Sequence, residues 1–356
     1  MSLRVAIVAD DLTGALDTSA PFVAQGLKVV VAASLAGLAG AMAETPEVLV
    51  LNTASRQMRQ AEAREVAGRA AEAIKALSPE FVFKKIDSRL KGNIVSETEA
   101  MAAAFAPSRI VVAPAVPDQG RFTSKGMAVG AGIERPLSIA DAFAGLDRPF
   151  EIADVASQDD LDVLVSAMTP DVLLIGARGL GAALARRLAK GSARALHRFE
   201  PRQRTLLAFG SRDPITAAQI EFLARRDPAI PVVDAPQGRL SVAPPVDLPM
   251  VVRCTGPFAE PERVAADFAE AIVAALYRSR PDTLVMGGGD TAMAVLARLG
   301  GEIIVPLGEA QPGVPWFLLQ VAPGVEVQCL VKSGGFGNVS VLGHLVPQMR
   351  SEARTA

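Results

Sequence analysis

Apolar positions in this chain come in short continuous blocks separated by stretches of helical spacing. Val5–Ala9 is an unbroken apolar run, and Gly14–Gln25 follows with apolar residues at helical spacing before Gly26. Runs of this kind mark strands buried on both faces, and a 3.6-residue period marks amphipathic helices. The pattern predicts further strands over Lys28–Ala33, Glu47–Leu51, Phe81–Ile86, Arg109–Val116, Phe150–Val155 and Val172–Ile175. Between them it predicts helices over Gln57–Leu77, Ile94–Phe105, Asp159–Met168 and Leu180–Ala189, with Gly126–Leu137 as a hairpin or loop excursion. A second series has strands Thr205–Phe209, Pro231–Asp234, Pro249–Cys254 and Thr283–Met286, with helices Ile215–Arg225, Pro261–Tyr277 and Ala292–Leu299. Gly301–Val331 mixes strands and turns.

Alternating strands and helices mean βαβ units and parallel sheets. The predicted fold class is α/β: two domains, each a mostly parallel sheet flanked by helices, with a cleft between them. The polar stretch Lys190–Arg204 marks the boundary, giving domains over 1–195 and 204–350.

Composition narrows the function. Hydrophobic residues make up 50% of the 356 residues but aromatics only 4%, which suits a packed core and not a nucleic-acid stacking platform. A net charge of −2 provides no pull toward phosphate backbones or anionic lipid. No apolar run approaches the roughly 18 residues of a membrane span, and the N-terminus enters a strand without a basic leader, so no signal peptide is expected. Cys254 and Cys329 lack metal-site or disulfide-framework spacing. The expected setting is the cytoplasm, with no nucleic-acid or membrane partner. With only His197 and His344 present, catalysis is expected to rest on Asp, Lys, Arg and backbone amides.

Four strand ends in the first domain are polar: Asp10-Asp11 after Val5–Ala9, Arg56 after Glu47–Leu51, Lys84–Lys91 after Phe81–Ile86, and Asp118–Arg121 after Arg109–Val116. In a parallel sheet these ends converge on one rim, where open α/β folds bind ligands. Cations there can clamp an anion, and a carboxylate can accept a proton from an attacking hydroxyl. The second domain has Gly287-Gly288-Gly289-Asp290-Thr291 between a strand and a helix, a setting in which backbone amides approach phosphate. Lys332-Ser333-Gly334-Gly335-Phe336-Gly337 adds a cation beside flexible backbone. Neither loop is a Walker A motif. Gly176-Ala-Arg-Gly179-Leu-Gly181 has dinucleotide-turn character in the order G-x-x-G-x-G, and its glycines also suit close helix–strand packing.

The motifs ADDLTGALD, KKIDSRLKGN, APAVPDQGR, a GS turn with Thr216 and Gln219, GGGDT, PGVPW and KSGGFG occur in the order seen in the four-carbon acid sugar kinases. The chain resembles that family over nearly its whole length. The resemblance implies an N-terminal domain that binds a sugar acid and a C-terminal domain that binds ATP. It places Asp10, Asp11, Arg56, Lys85, Asp87 and Ser88 on the substrate side, and Ser211, Gly287, Gly288, Gly289, Asp290, Gly334 and Gly335 on the ATP side. Asp118, Arg121 and Lys332 join these as candidates from their strand ends and loop. The chain departs from the family pattern at Leu16, at Ser88-Arg89-Leu90-Lys91-Gly92, at Asp290, at Gly335 and in a short Gly126–Phe150 region.

The expected activity is ATP-dependent phosphorylation of the terminal hydroxyl of threonate, erythronate or 3-oxo-tetronate. Asp10, Asp11 or Asp87 would orient or deprotonate the attacking oxygen, Arg56 and Lys85 would hold the substrate, and Mg²⁺ would bridge the ATP phosphates. Metal ligands are not assigned, and homo-oligomerisation is left open. The alternatives are an NAD(P)-dependent oxidoreductase using Gly176–Gly181, and a non-catalytic sugar-acid sensor.

Overall fold

The computed structural model describes residues 2–189, 197–241, 247–257 and 260–348. The expected domain ends at 195 and 350 lie outside them. The chain divides into two units. One comprises Met1–Leu196 with Glu302–Pro306, and the other His197–Gly301 with Leu307–Ala356.

The first unit runs β1 (Val5–Ala9), α1 (Leu12–Ala24), β2 (Val29–Ala32), α2 (Leu38–Ala43), β3 (Val48–Asn52), α3 (Gln60–Lys75), β4 (Phe81–Lys85), α4 (Ile94–Phe105) and β5 (Arg109–Ala113). It continues with β6 (Arg121–Ser124), β7 (Met127–Gly130), β8 (Leu137–Ser138), α5 (Ile139–Ala142), β9 (Glu151–Ile152), α6 (Gln158–Ser166), β10 (Val172–Gly176) and α7 (Arg178–Leu188). Strands β2, β3, β1, β4, β10, β5 and β9 pair in that order, all parallel. Every residue of β1 has 0% exposure, as the unbroken apolar run requires. Each such Val or Ile contributes on the order of 1.5–3 kcal/mol on burial.

Two local differences from the sequence pattern bear on the site. The Gly-rich excursion is a three-stranded antiparallel sheet, β6-β7-β8, and it starts earlier than expected, at Arg121. The two-residue strand β15 (Ile303–Ile304) pairs antiparallel with β2, so this stretch of the expected second domain belongs to the first unit.

The second unit runs β11 (Thr205–Phe209), α8 (Pro214–Arg226), β12 (Val232–Pro236), β13 (Met250–Thr255), α9 (Pro261–Ser279), β14 (Thr283–Gly287) and α10 (Gly289–Arg298). Beyond β15 it has β16 (Pro306–Gln311), β17 (Val314–Ala322) and β18 (Val325–Lys332). The sheet order is β12-β13-β11-β14-β18-β17-β16. Its first five strands are parallel, and β17 turns back antiparallel to β18. Cys254 and Cys329 are buried and free. No helix among the described residues is long and apolar enough to cross a membrane.

Candidate active site

In the first unit the parallel register brings the carboxyl ends of β1, β3, β4, β5 and β10 to one edge. Consecutive strand residues point to opposite faces, and β4 shows where the helices lie. Lys84 reaches Glu97 on α4, 2.7 Å away with both side chains buried. Lys85 points the other way, with its Nζ 3.0 Å from where a Cβ on Gly14 of α1 would lie. The helices that follow β1 and β4 therefore leave toward opposite faces, and a crevice opens between two adjacent strand ends.

Asp10, Asp11, Arg56 and Asp87 meet there. Arg56 donates from Nε to Asp10 Oδ2 at 2.8 Å and from Nη2 to Asp10 Oδ1 at 2.7 Å. Its Nη1 donates to Asp11 Oδ2 at 2.9 Å and lies 3.7 Å from Asp87 Oδ2. Asp11 is also the N-cap of α1, accepting from the Gly14 amide at 2.8 Å, and Thr13 Oγ1 donates to it. Burial pushes the Asp10 carboxyl up, but the Arg56 hydrogen bonds and the Lys84 and Lys85 charges outweigh it and hold the pKa below the ordinary carboxylate value. Burial opposes the charge on Arg56, yet the Asp10 hydrogen bonds and the three carboxylates raise its pKa further. Arg56 is thus engaged by carboxylates, where the sequence reading has it hold the substrate. Two supports fix this arrangement. Asn93 Nδ2 donates to the Ser55 and Met58 carbonyls on either side of Arg56. Gly92, at φ 98°, lets its loop approach so closely that a Cβ would sit 2.8 Å from Asp10 Oδ2.

The remaining first-unit candidates are placed around this centre. Lys85 is buried, and its Nζ donates to the Ile86 carbonyl at 2.8 Å. Asp87 Oδ1 accepts from the Arg89 amide at 2.7 Å, while its Oδ2 accepts no hydrogen bond among the described residues. Arg121 donates from Nη1 to Ser88 Oγ at 2.8 Å and from Nε to the Ala131 carbonyl at 3.0 Å. Asp118 pairs with Arg178 at 3.2 Å, and Arg178 also holds Asp17 at 3.0 Å.

Arg178 is the residue that sequence reasoning misses. Its position two residues past β10, equivalent to that of Asp11 past β1, was the available signal. The glycines around it serve packing: a Cβ on Gly176 would lie 2.4 Å from the Ala113 carbonyl oxygen, and one on Gly179 would lie 2.4 Å from that of Ala115. Lys84 and Glu97, with Ser55 donating to Glu97 at 2.6 Å, form a second unanticipated network beneath the rim.

In the second unit three motifs converge. Helix α10 starts three residues earlier than expected, so Gly289-Asp290-Thr291 forms its first turn and Gly288 occupies the N-cap position. Gly288 has φ 103° and offers no side-chain cap, and among the described residues the first amides of α10 have no acceptor. A Cβ on Gly334 would lie 2.2 Å from Ser211 Oγ, and one on Gly210 would lie 2.0 Å from Thr291 Oγ1. The GS turn, the GGGDT turn and the KSGGFG loop are therefore in van der Waals contact.

Lys332 is not a free phosphate cation. Its fully buried ammonium donates to the carbonyls of Ser333 at 2.8 Å, Gly334 at 3.2 Å and Phe336 at 3.1 Å. Gln219 Nε2 takes the Phe336, Gly337 and Asn338 carbonyls, and Thr216 Oγ1 takes that of Gly334. With the carbonyls turned inward, no amide of 333–338 donates a hydrogen bond among the described residues. Burial lowers the Lys332 pKa to about 8, against an opposing pull from Asp213. Among the described residues no group of three or more His, Cys, Asp or Glu side chains could hold a metal ion.

These two sites match known domains. Residues 5–143 match a sugar-binding N-terminal domain, and residues 254–342 a nucleotide-binding C-terminal domain. The chain is 29% identical to the D-threonate kinase of Bordetella bronchiseptica, covering 95% of each chain. It is 26% identical to the 3-oxo-tetronate kinase of Methylobacterium radiotolerans, covering 98% of this chain and 100% of the other. A Salmonella typhimurium LT2 structure described as a tRNA synthase superposes with a TM-score of 0.74 at 19% identity, covering 96% of this chain and 98% of the other. A Haemophilus influenzae structure does so with a TM-score of 0.65 at 22% identity and the same coverage. At those identities the two structures show the fold alone.

Fold, sites and curated relatives define the class as a phosphotransferase with an alcohol group as acceptor. The chain belongs to the four-carbon acid sugar kinase family. No observation supports the oxidoreductase alternative.

Proposed function

We propose that the protein transfers the γ-phosphoryl group of ATP to the terminal hydroxyl of a four-carbon sugar acid: threonate, erythronate or 3-oxo-tetronate. The observation that carries this reading is the Asp10–Arg56–Asp11–Asp87 cluster, in which one guanidinium serves three carboxylates and one carboxylate oxygen keeps an open lone pair. Asp10 has both oxygens bound by Arg56, and Asp11 caps α1 as well as receiving Arg56. Asp87 Oδ2 is therefore the oxygen best able to accept a hydroxyl proton as the hydroxyl attacks phosphorus. Arg56 fixes the position of that carboxylate and keeps the three charges compatible. Ser88, Lys85, Asp118 and Arg121 line the same rim and hold the acid.

On the nucleotide side, the open amides of α10 and of the loop after Lys332 supply donors for phosphate oxygens. Gly287, Gly288, Gly289, Asp290, Gly334, Gly335 and Ser211 form this binding surface, and Lys332 shapes it from within. Mg²⁺ characteristically binds with nucleotide phosphates through few protein ligands, and it is the expected partner of ATP here. Bound there, it would neutralise charge on the β and γ oxygens.

The test is ADP release with MgATP and a panel of four-carbon aldonates. Turnover of at least one acid is expected. Saturable binding of the acids without ADP release in any combination would instead support a sensor.

A further inference from the structure

The carboxylates at the rim of the first unit are almost all spoken for. Asp10, Asp11 and Asp87 gather around Arg56, and Asp17 and Asp118 pair with Arg178. Two half-buried arginines beside them form no ion pair among the described residues. Arg89 follows Ser88 directly, and its side chain makes no hydrogen bond or ion pair among the described residues. Arg121 is tethered to Ser88 Oγ, Gln119 Oε1 and the Ala131 carbonyl, all neutral acceptors. The Ser88 contact holds Arg121 beside the residue that precedes Arg89. Burial and the charge of Arg89 lower the Arg121 pKa against the opposing pull of Asp87, Asp17 and Asp118, none of which forms an ion pair with either arginine among the described residues.

Two partly desolvated like charges held together are unfavourable unless an anion sits between them. A carboxylate suits the position, because guanidinium forks bind it in two-bonded fashion. We propose that Arg89 and Arg121 together bind the carboxylate of the acid substrate, which makes Arg89 a specificity-determining residue. This rests on the sugar-acid kinase reading and adds an orientation to it: the carboxylate lies at the Arg89–Arg121 pair, and the acceptor hydroxyl lies at Asp87. The pair thereby selects acids over neutral polyols of the same length.

The experiment compares wild type, Arg89→Ala and Arg89→Lys with a four-carbon aldonate and its neutral amide. Turnover is followed by ADP release, and binding is followed by calorimetry without nucleotide. In wild type the acid should bind at least about tenfold more tightly than the amide, the scale of a charge-assisted hydrogen bond. Arg89→Ala should raise the KM for the acid by about that factor, leave kcat and the KM for ATP within about twofold, and erase the preference for acid over amide. Arg89→Lys should restore part of the preference. An Arg89→Ala enzyme that keeps the wild-type preference, or that loses acid and amide equally, overturns the subsite while leaving the kinase reading intact. Acid-over-amide binding that Arg89→Ala erases, with no turnover by wild type, supports the subsite and overturns the kinase reading. Absence of both binding and turnover overturns both.

Discussion

Arg56 holds Asp10 with two near-parallel hydrogen bonds, of 2.8 and 2.7 Å, across the ends of strands β3 and β1. The pair is largely buried, so its geometry and its charge balance cannot be separated. Arg56→Lys keeps the charge and loses the fork. We expect kcat/KM to fall by about a hundredfold or more. Removing the cation altogether, in Arg56→Ala, should also destabilise the fold by about 3 kcal/mol, because carboxylates are left buried and uncompensated. Steady-state kinetics and urea denaturation of the two variants check this.

The assignment of the proton acceptor separates three neighbouring carboxylates. Asp87→Asn should lower kcat by about 10² to 10⁴, the range for loss of a general base, with little change in the KM for ATP. Asp11→Asn should act chiefly on the stability of α1, costing about 1 kcal/mol as a weakened N-cap. A larger loss of kcat for Asp11→Asn than for Asp87→Asn would reassign the role.

Asp10 has a folded-state pKa below its ordinary value of 3.8. Its contribution to stability is therefore fully present above about pH 4 and is lost as pH falls through the depressed folded value. Wild type should lose stability over that acidic window, and Asp10→Asn should lose less, as measured by urea midpoints at stepped pH.

Lys332 behaves in the opposite sense. Its pKa falls from 10.5 to about 8, so between those values the unfolded chain holds a proton that the folded chain has released. Relative to Lys332→Met, wild-type stability should rise with pH across that window. Nucleotide binding should weaken as pH rises through about 8, because the deprotonated amine holds the loop carbonyls less firmly. Titration calorimetry with MgATP between pH 7 and 9.5 follows this.

Much of this architecture is legible in the sequence, for identifiable reasons. The apolar run before Asp10 sets β1, and parallel pairing then brings Asp10, Arg56 and Asp87 together wherever the intervening helices go. What is not legible depends on tertiary partners. Lys332 reads as an exposed cation because buried lysines are rare. Only the fold shows the carbonyls and the Gln219 and Thr216 side chains that receive its loop. Arg178 hides in a glycine-rich stretch that resembles a dinucleotide turn, and its role appears only when Asp17 and Asp118 converge on it. The pairing of Ile303–Ile304 with β2 has no local signature, since a two-residue edge strand is specified by its neighbour.

Purified protein with MgATP should release ADP when given threonate, erythronate or 3-oxo-tetronate, with the phosphate on the terminal hydroxyl as located by NMR, and Asp87→Asn should abolish most of that release. An intact, ATP-binding protein that phosphorylates none of these acids would contradict the proposed activity.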